Sequence, residues 1–169
     1  MEKIPYESYQ EELVYLRRYF HTWPEVSMEE RKTTKYVFEY LQKLGLEPQM
    51  TGEVGVTAMV WAREEIRGRC RTVAVRSELD AIPVQELNEV SWKSREKGVM
   101  HACGHDAIIA AGLVLAKICV QYRESLPVNV KFLFQPGEEN GQGTQMMLDA
   151  GVMENPHVDE FVMYHYVND

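Results

Sequence analysis

The segment from Asp106 to about Tyr122 limits the fold more than any other. Its apolar residues Ile109, Leu113, Ala116, Ile118 and Val120, set among alanines, predict a largely buried helix. Such a helix needs other elements packed around it. At its entrance lies Met100-His101-Ala102-Cys103-Gly104-His105-Asp106, which brings thiol, imidazole and carboxylate together within seven residues. These are the donor types of sites for zinc or another borderline first-row metal. Cys103 and His105 are two residues apart, and Gly104 between them supplies the backbone freedom needed for their side chains to converge.

The remaining elements follow in chain order. Tyr9, Leu13, Leu16 and Phe20 recur at helical spacing, which predicts an amphipathic helix that stops before Pro24. Ser27-Met28-Glu29-Glu30 reads as a capping box for a second helix with Val37, Leu41 and Leu44 on its face, ended by Gly45 and Pro48. Val56 to Trp61 and Thr72 to Arg76 are short β-branched runs joined by a charged connection, and read as a strand pair. The second runs into Ser77-Glu78-Leu79-Asp80-Ala81-Ile82-Pro83, and Asn88 to Lys97 predicts a surface loop holding Trp92. Val128 to Phe134 fits a central strand that delivers Glu138 and Glu139 from its C-terminal end. A helix through Met146, Met147 and Leu148 should stop at Gly151, and Glu160 to Tyr166 forms the last strand, with His165 at its end. Alternating helices and strands without repeat or linker give an α/β class and one domain over 1–169.

A net charge of -8 and the absence of a Lys/Arg run exclude a nucleic-acid or anionic-membrane surface. The first twenty residues are charged and amphipathic rather than signal-like, and no stretch approaches a membrane span. Three cysteines, Cys70, Cys103 and Cys119, do not form a disulfide framework. A cytoplasmic protein is expected, with Cys103 available as a ligand.

Taken alone, a free cysteine is usually a small buried hydrophobe and adjacent carboxylates usually mark a solvated turn. Here each candidate follows an apolar strand or opens a buried helix, so the set should gather at one sheet edge. Two consecutive carboxylates at a strand end point in different directions. One can bind a metal while the other takes a proton from the attacking water. Asp80 suits the orientation of an imidazole ligand, although a turn or cap role fits it equally on these grounds. His21 and His101 read as structural or surface groups and His157 as a loop residue. The helix-borne zincin signature and the deaminase signature are both absent.

Four segments, Arg17 to Glu25, Arg76 to Pro83, Met100 to Asp106 and Phe134 to Glu139, closely resemble in order the co-catalytic metal amidohydrolases. That group includes hippurate hydrolases, N-acyl-amino-acid amidohydrolases and auxin-conjugate hydrolases, within the aminoacylase and carboxypeptidase family. The resemblance implies an αβα layered, zinc-exopeptidase-like catalytic domain, present as its N-terminal part without the lid domain. It also implies hydrolysis of an N-acyl amino acid at two divalent ions, zinc, manganese, nickel or cobalt. By position, Cys103 falls on the bridging ligand, His105, Glu139 and His165 on further ligands, Glu138 on the general base and Asp80 on the orienting aspartate. Relatives of this kind carry a later histidine ligand and a lid through which they form homo-oligomers. Residues 1–169 alone are therefore expected to hold one ion or none. Gly137 replaces a usual alanine, and Ile108 stands where a histidine is frequent. The competing expectations are a non-catalytic binding or regulatory relative, and an α/β domain with a closed structural metal shell.

Overall fold

The computed structural model describes residues 4–166. A short 3-10 turn leads into α1 (Gln10–Thr22), followed by α2 (Arg31–Lys43), β1 (Gln49–Met50), β2 (Val56–Val60), the single turn α3 (Glu64–Arg67) and β3 (Thr72–Glu78). A long connection then reaches α4 (His105–Gln121), β4 (Asn129–Gln135), α5 (Gln142–Asp149) and β5 (Glu160–Met163). The five strands form one sheet in the order β1-β2-β4-β3-β5.

β4 is buried along its whole length and takes the middle of the sheet, as its apolar run requires. It pairs antiparallel with β2, Val56 opposite Phe134, and parallel with β3, Val75 opposite Phe132. The expected β2–β3 strand pair is therefore not formed. Both strands are neighbours of β4 instead, because a strand apolar on both faces needs a ladder partner on each side. β5 pairs parallel with β3 from Val73 opposite Glu160 to Arg76 opposite Met163. It ends at Met163, short of the predicted Tyr166, where Tyr164 turns inward to donate to the Ile108 carbonyl oxygen at 3.1 Å.

Strand alternation sends Val75 and Phe132 to one face, against Leu16, Phe20, Val37, Leu41, Ile109 and Leu113 of α1, α2 and α4. Ala74 and Leu133 reach the other face, where Met147, Val152 and Val158 make a smaller core. Helices thus cover both faces of a mixed sheet, the layered α/β arrangement expected. α4 is the buried central helix, with Ile108, Ile109, Ala110 and Leu113 fully enclosed.

The capping box is not made. α2 starts at Arg31, and its free Lys32 and Thr33 amides donate to the Glu25 carboxylate at 3.1 and 2.8 Å. Ser27 and Glu30 have more distant partners, described below. Among the described residues no helix is long and apolar enough to cross a membrane. Cys70, Cys103 and Cys119 are free thiols.

Candidate metal centre

The C-terminal ends of β3 and β4, the N-terminus of α4 and the segment after β5 meet at one edge of the sheet. β3 passes its direction on through Leu79, whose amide donates to the Gln135 carbonyl oxygen, and Ala81, whose amide donates to that of Glu25. Asp80 is held between these two bonds and is almost completely buried. Its Oδ2 accepts from Ser27 Oγ at 2.6 Å and from the Glu139 amide at 2.9 Å. Its main-chain oxygen accepts from His105 Nδ1 at 2.8 Å, and its Oδ1 lies 3.3 Å from the same nitrogen. Burial alone would raise the Asp80 pKa, but the bonds from His105, Ser27 and the Glu139 amide outweigh it and bring the group to about 2.

A carbonyl oxygen can only accept, so Nδ1 of His105 carries a proton and Nε2 is turned into the site. That Nε2 is fully buried and has no hydrogen-bond partner. Glu138 Oε2 stands 3.8 Å from it and Glu139 Oε1 3.9 Å. Burial opposes charge on the ring, whereas Asp80 and Glu78 favour it, and the net shift of His105 is upward.

Gly104 enters α4 with φ +97°, the left-handed conformation that turns Cys103 and His105 towards one another. Cys103 Sγ lies 3.3 Å from His165 Nε2, and the His105 and His165 rings meet edge to face at 5.6 Å. His165 Nδ1 donates to the Tyr166 carbonyl oxygen. The Cys103 thiol is pushed up to about 11 by burial and by the carboxylates of Glu139, Glu138 and Glu78. These potential donor atoms form two groups, Cys103/His105/His165 and His105/Glu138/Glu139, with all atoms of each within 4.8 Å of one another. His105 belongs to both.

All six residues singled out in the sequence thus lie at this edge. Glu78 was not singled out. It is buried, paired with Arg76 at 2.6 Å, and its Oε2 is without a partner. An acidic residue two positions before Asp80 at the end of a buried strand was the available signal. Of the two expectations for His21, structural or surface, the structural one holds. His21 is buried between Asp106, 2.8 Å from Nδ1, and Glu86, 3.1 Å from Nε2, with Trp92 against its ring. His101 is buried and neither ring nitrogen has a partner, while His157 is exposed beside Glu154.

A buried imidazole presenting a bare nitrogen to carboxylates, with a thiol and a second imidazole alongside, fits a cation better than any neutral ligand, since only positive charge relieves the crowded acids. On this α/β fold, that marks a candidate metal site at strand ends. Residues 74–169 match the family described as Peptidase family M20/M25/M40, and the chain belongs to that family. It is 41% identical over 145 residues to thermostable carboxypeptidase 2 of Saccharolobus solfataricus, covering 83% of this chain and 36% of that protein. It is 36% identical over 151 residues to an uncharacterized hydrolase of Staphylococcus haemolyticus, covering 88% of this chain and 38% of that one. The YXEP protein of Bacillus subtilis, a dinuclear metal binding peptidase of the M20 family, superposes with a TM-score of 0.89 at 33% identity. The match covers 96% of this chain and 45% of that structure. An aminobenzoyl-glutamate utilization protein from Klebsiella pneumoniae superposes with a TM-score of 0.73 at 25% identity. The chain spans between 36% and 45% of the length of each of these proteins.

Proposed function

We propose that these residues are the N-terminal, metal-holding part of an amidohydrolase that cleaves N-acyl amino acids, in which Cys103 would help to hold the divalent ions. His105, Glu139 and His165 are the other ligands from this chain, and Glu138 is the general base. The observation that carries the reading is the bare, buried Nε2 of His105 facing two carboxylates. When bound, such ions supply Lewis acidity at the amide carbonyl and at the attacking water. Cysteine, histidine and glutamate together suit zinc, manganese, nickel or cobalt. The three free thiols suit the reducing cytoplasm.

The division between the two glutamates follows from how each is tethered. The Glu139 amide is held by Asp80, whereas the Glu138 side chain also lines a cavity of about 420 Å³ walled by Leu133, Met147, Leu148 and Phe161. Glu138 accepts the proton of the attacking water as oxygen adds to the carbonyl carbon. It then returns that proton to the amide nitrogen as the C–N bond breaks, giving a carboxylic acid and a free amino acid. Asp80 keeps the proton on Nδ1 of His105 and so holds Nε2 as a donor to the site.

Metal content by plasma emission tests the roles. Glu138→Gln should retain the ion held by the wild-type chain, and Cys103→Ala should lose it. Equal loss in both would refute the assignment. With 36 to 38% of the relatives' length, residues 1–169 alone should hold at most one ion tightly and cleave N-acetyl or N-benzoyl amino acids negligibly. Chelator-sensitive, metal-restored turnover by the verified 169-residue chain would refute that.

A further inference from the structure

The α1–α2 connection, residues 23–30, contains two features that helix capping does not explain. Met28 is the one described non-glycine residue with positive φ, +68°, a conformation that costs an unbranched side chain about 1 kcal/mol. Glu30 is completely buried and makes no ion pair among the described residues. Strain and a buried carboxylate side by side are expensive unless they hold something in place.

Both are directed at the turn that follows β4. Glu30 Oε1 accepts the Gly137 amide at 2.7 Å, across 107 residues of sequence, while Oε2 has no partner. Gly137 is itself left-handed, φ +56°, and the Met28 sulfur fills the space where a Cβ on Gly137 would project. Met28 therefore closes the outside of the turn and Glu30 pins its amide. The Gly137 carbonyl oxygen accepts from the Gly143 amide at 3.1 Å, so the turn is tied to the start of α5 as well. One residue before Met28, Ser27 donates to Asp80, whose same oxygen takes the Glu139 amide. The amides on either side of Glu138 are thus held by two buried carboxylates, one from the α1–α2 connection and one braced by it.

We infer that Glu30 is a positioning residue for the candidate metal centre: by holding the Gly137 amide against the Met28 side chain it sets where the Glu138 and Glu139 carboxylates stand relative to His105. The inference rests on the reading of that edge as a metal centre. Its mechanism is a hydrogen bond and does not require the Glu30 charge, which separates it from an electrostatic role.

Two substitutions test it on the 169-residue chain. Glu30→Gln keeps an acceptor oxygen at the same reach. Glu30→Asp keeps the carboxylate but withdraws it by roughly 1.5 Å, one carbon–carbon bond. Amide hydrogen exchange, followed residue by residue by NMR without metal, should show Gly137 and Glu139 exchanging about tenfold faster in Glu30→Asp, the worth of one buried hydrogen bond. The β4 amides should be unchanged, and Glu30→Gln should match wild type. Zinc affinity, measured by competition with a chromophoric chelator well below the unfolding temperature, should fall by about tenfold in Glu30→Asp and be restored in Glu30→Gln. Unchanged Gly137 exchange in Glu30→Asp would overturn the inference, as would a Glu30→Gln protein as impaired as Glu30→Asp. Zinc binding that Cys103→Ala leaves unchanged would instead refute the metal centre, and the exchange experiment, which needs no metal, would still decide whether Glu30 fixes the turn.

Discussion

Gly112 offers a direct test of how closely α4 lies on the sheet. In an isolated helix, Gly→Ala at an interior position stabilises by about 1 kcal/mol. In this fold a methyl group on Gly112 would overlap Ser77 Oγ of β3 outright, and would lie 3.1 Å from a Phe134 ring carbon and 3.3 Å from Ser77 Cβ. Ser77 can yield by rotating, but its hydroxyl then leaves Tyr164, 3.2 Å away, at a loss of about 1 kcal/mol. Phe134 is fully buried and can move by a few tenths of an ångström at most. Overpacking of this kind costs about 1 to 3 kcal/mol, so the net expectation after the helix gain is destabilisation of about 1 to 3 kcal/mol. For a chain of this size that lowers Tm by roughly 2–4 °C per kcal/mol. Thermal unfolding by circular dichroism should show the drop in Gly112→Ala. Ser77→Gly with Gly112→Ala should recover part of it, giving a coupling energy above about 0.5 kcal/mol in a double-mutant cycle. A Gly112→Ala protein more stable than wild type would mean that helix propensity prevails and that α4 does not approach β3 as described.

Further expectations concern the frame of the site. Burial would lower the His21 pKa, but the bonds to Asp106 and Glu86 raise it on balance, so its contribution is complete below about pH 6.5 and lost as pH rises through the folded value. The stability gap between wild type and His21→Gln in urea unfolding should therefore narrow from pH 6 to pH 9, and a gap that widens would contradict this. Glu25→Ala should cost about 1 kcal/mol through the lost cap on Lys32 and Thr33, measurable as a lower urea midpoint. Cys119, whose thiol burial pushes up to about 11, should resist iodoacetamide at pH 8 in the native chain and react on unfolding, as mass spectrometry would report.

The residues of the candidate centre were legible because each sits where a periodic apolar segment stops or starts. Glu138 and Glu139 follow the run to Phe134, Asp80 follows the run from Thr72, and His105 opens α4. The order of strands was not legible: β2 and β3 both alternate suitably, and nothing in either says that β4, more than fifty residues later, will come between them. Ser27 matched the pattern of a helix cap, but its hydroxyl had a better acceptor in Asp80, and Glu25 took over the free amides. Glu30 reads as the acid of that same capping box until the fold brings Gly137 to it. Local pattern marks ends of elements, and the partners of buried polar groups come from tertiary structure.

β5 contributes four residues to the sheet, all exposed, with Phe161 at 45% and Met163 at 58%, and among the described residues has β3 as its single strand neighbour. Few buried contacts and a one-sided ladder put this element at the low end of the local unfolding free energies within the domain. Local opening there would release His165 without disturbing β3, β4 and α4, which carry Asp80, Cys103, His105 and Glu139. The donor set is consequently unequal, with three ligands anchored on core elements and the fourth, His165, carried just past the exposed strand β5.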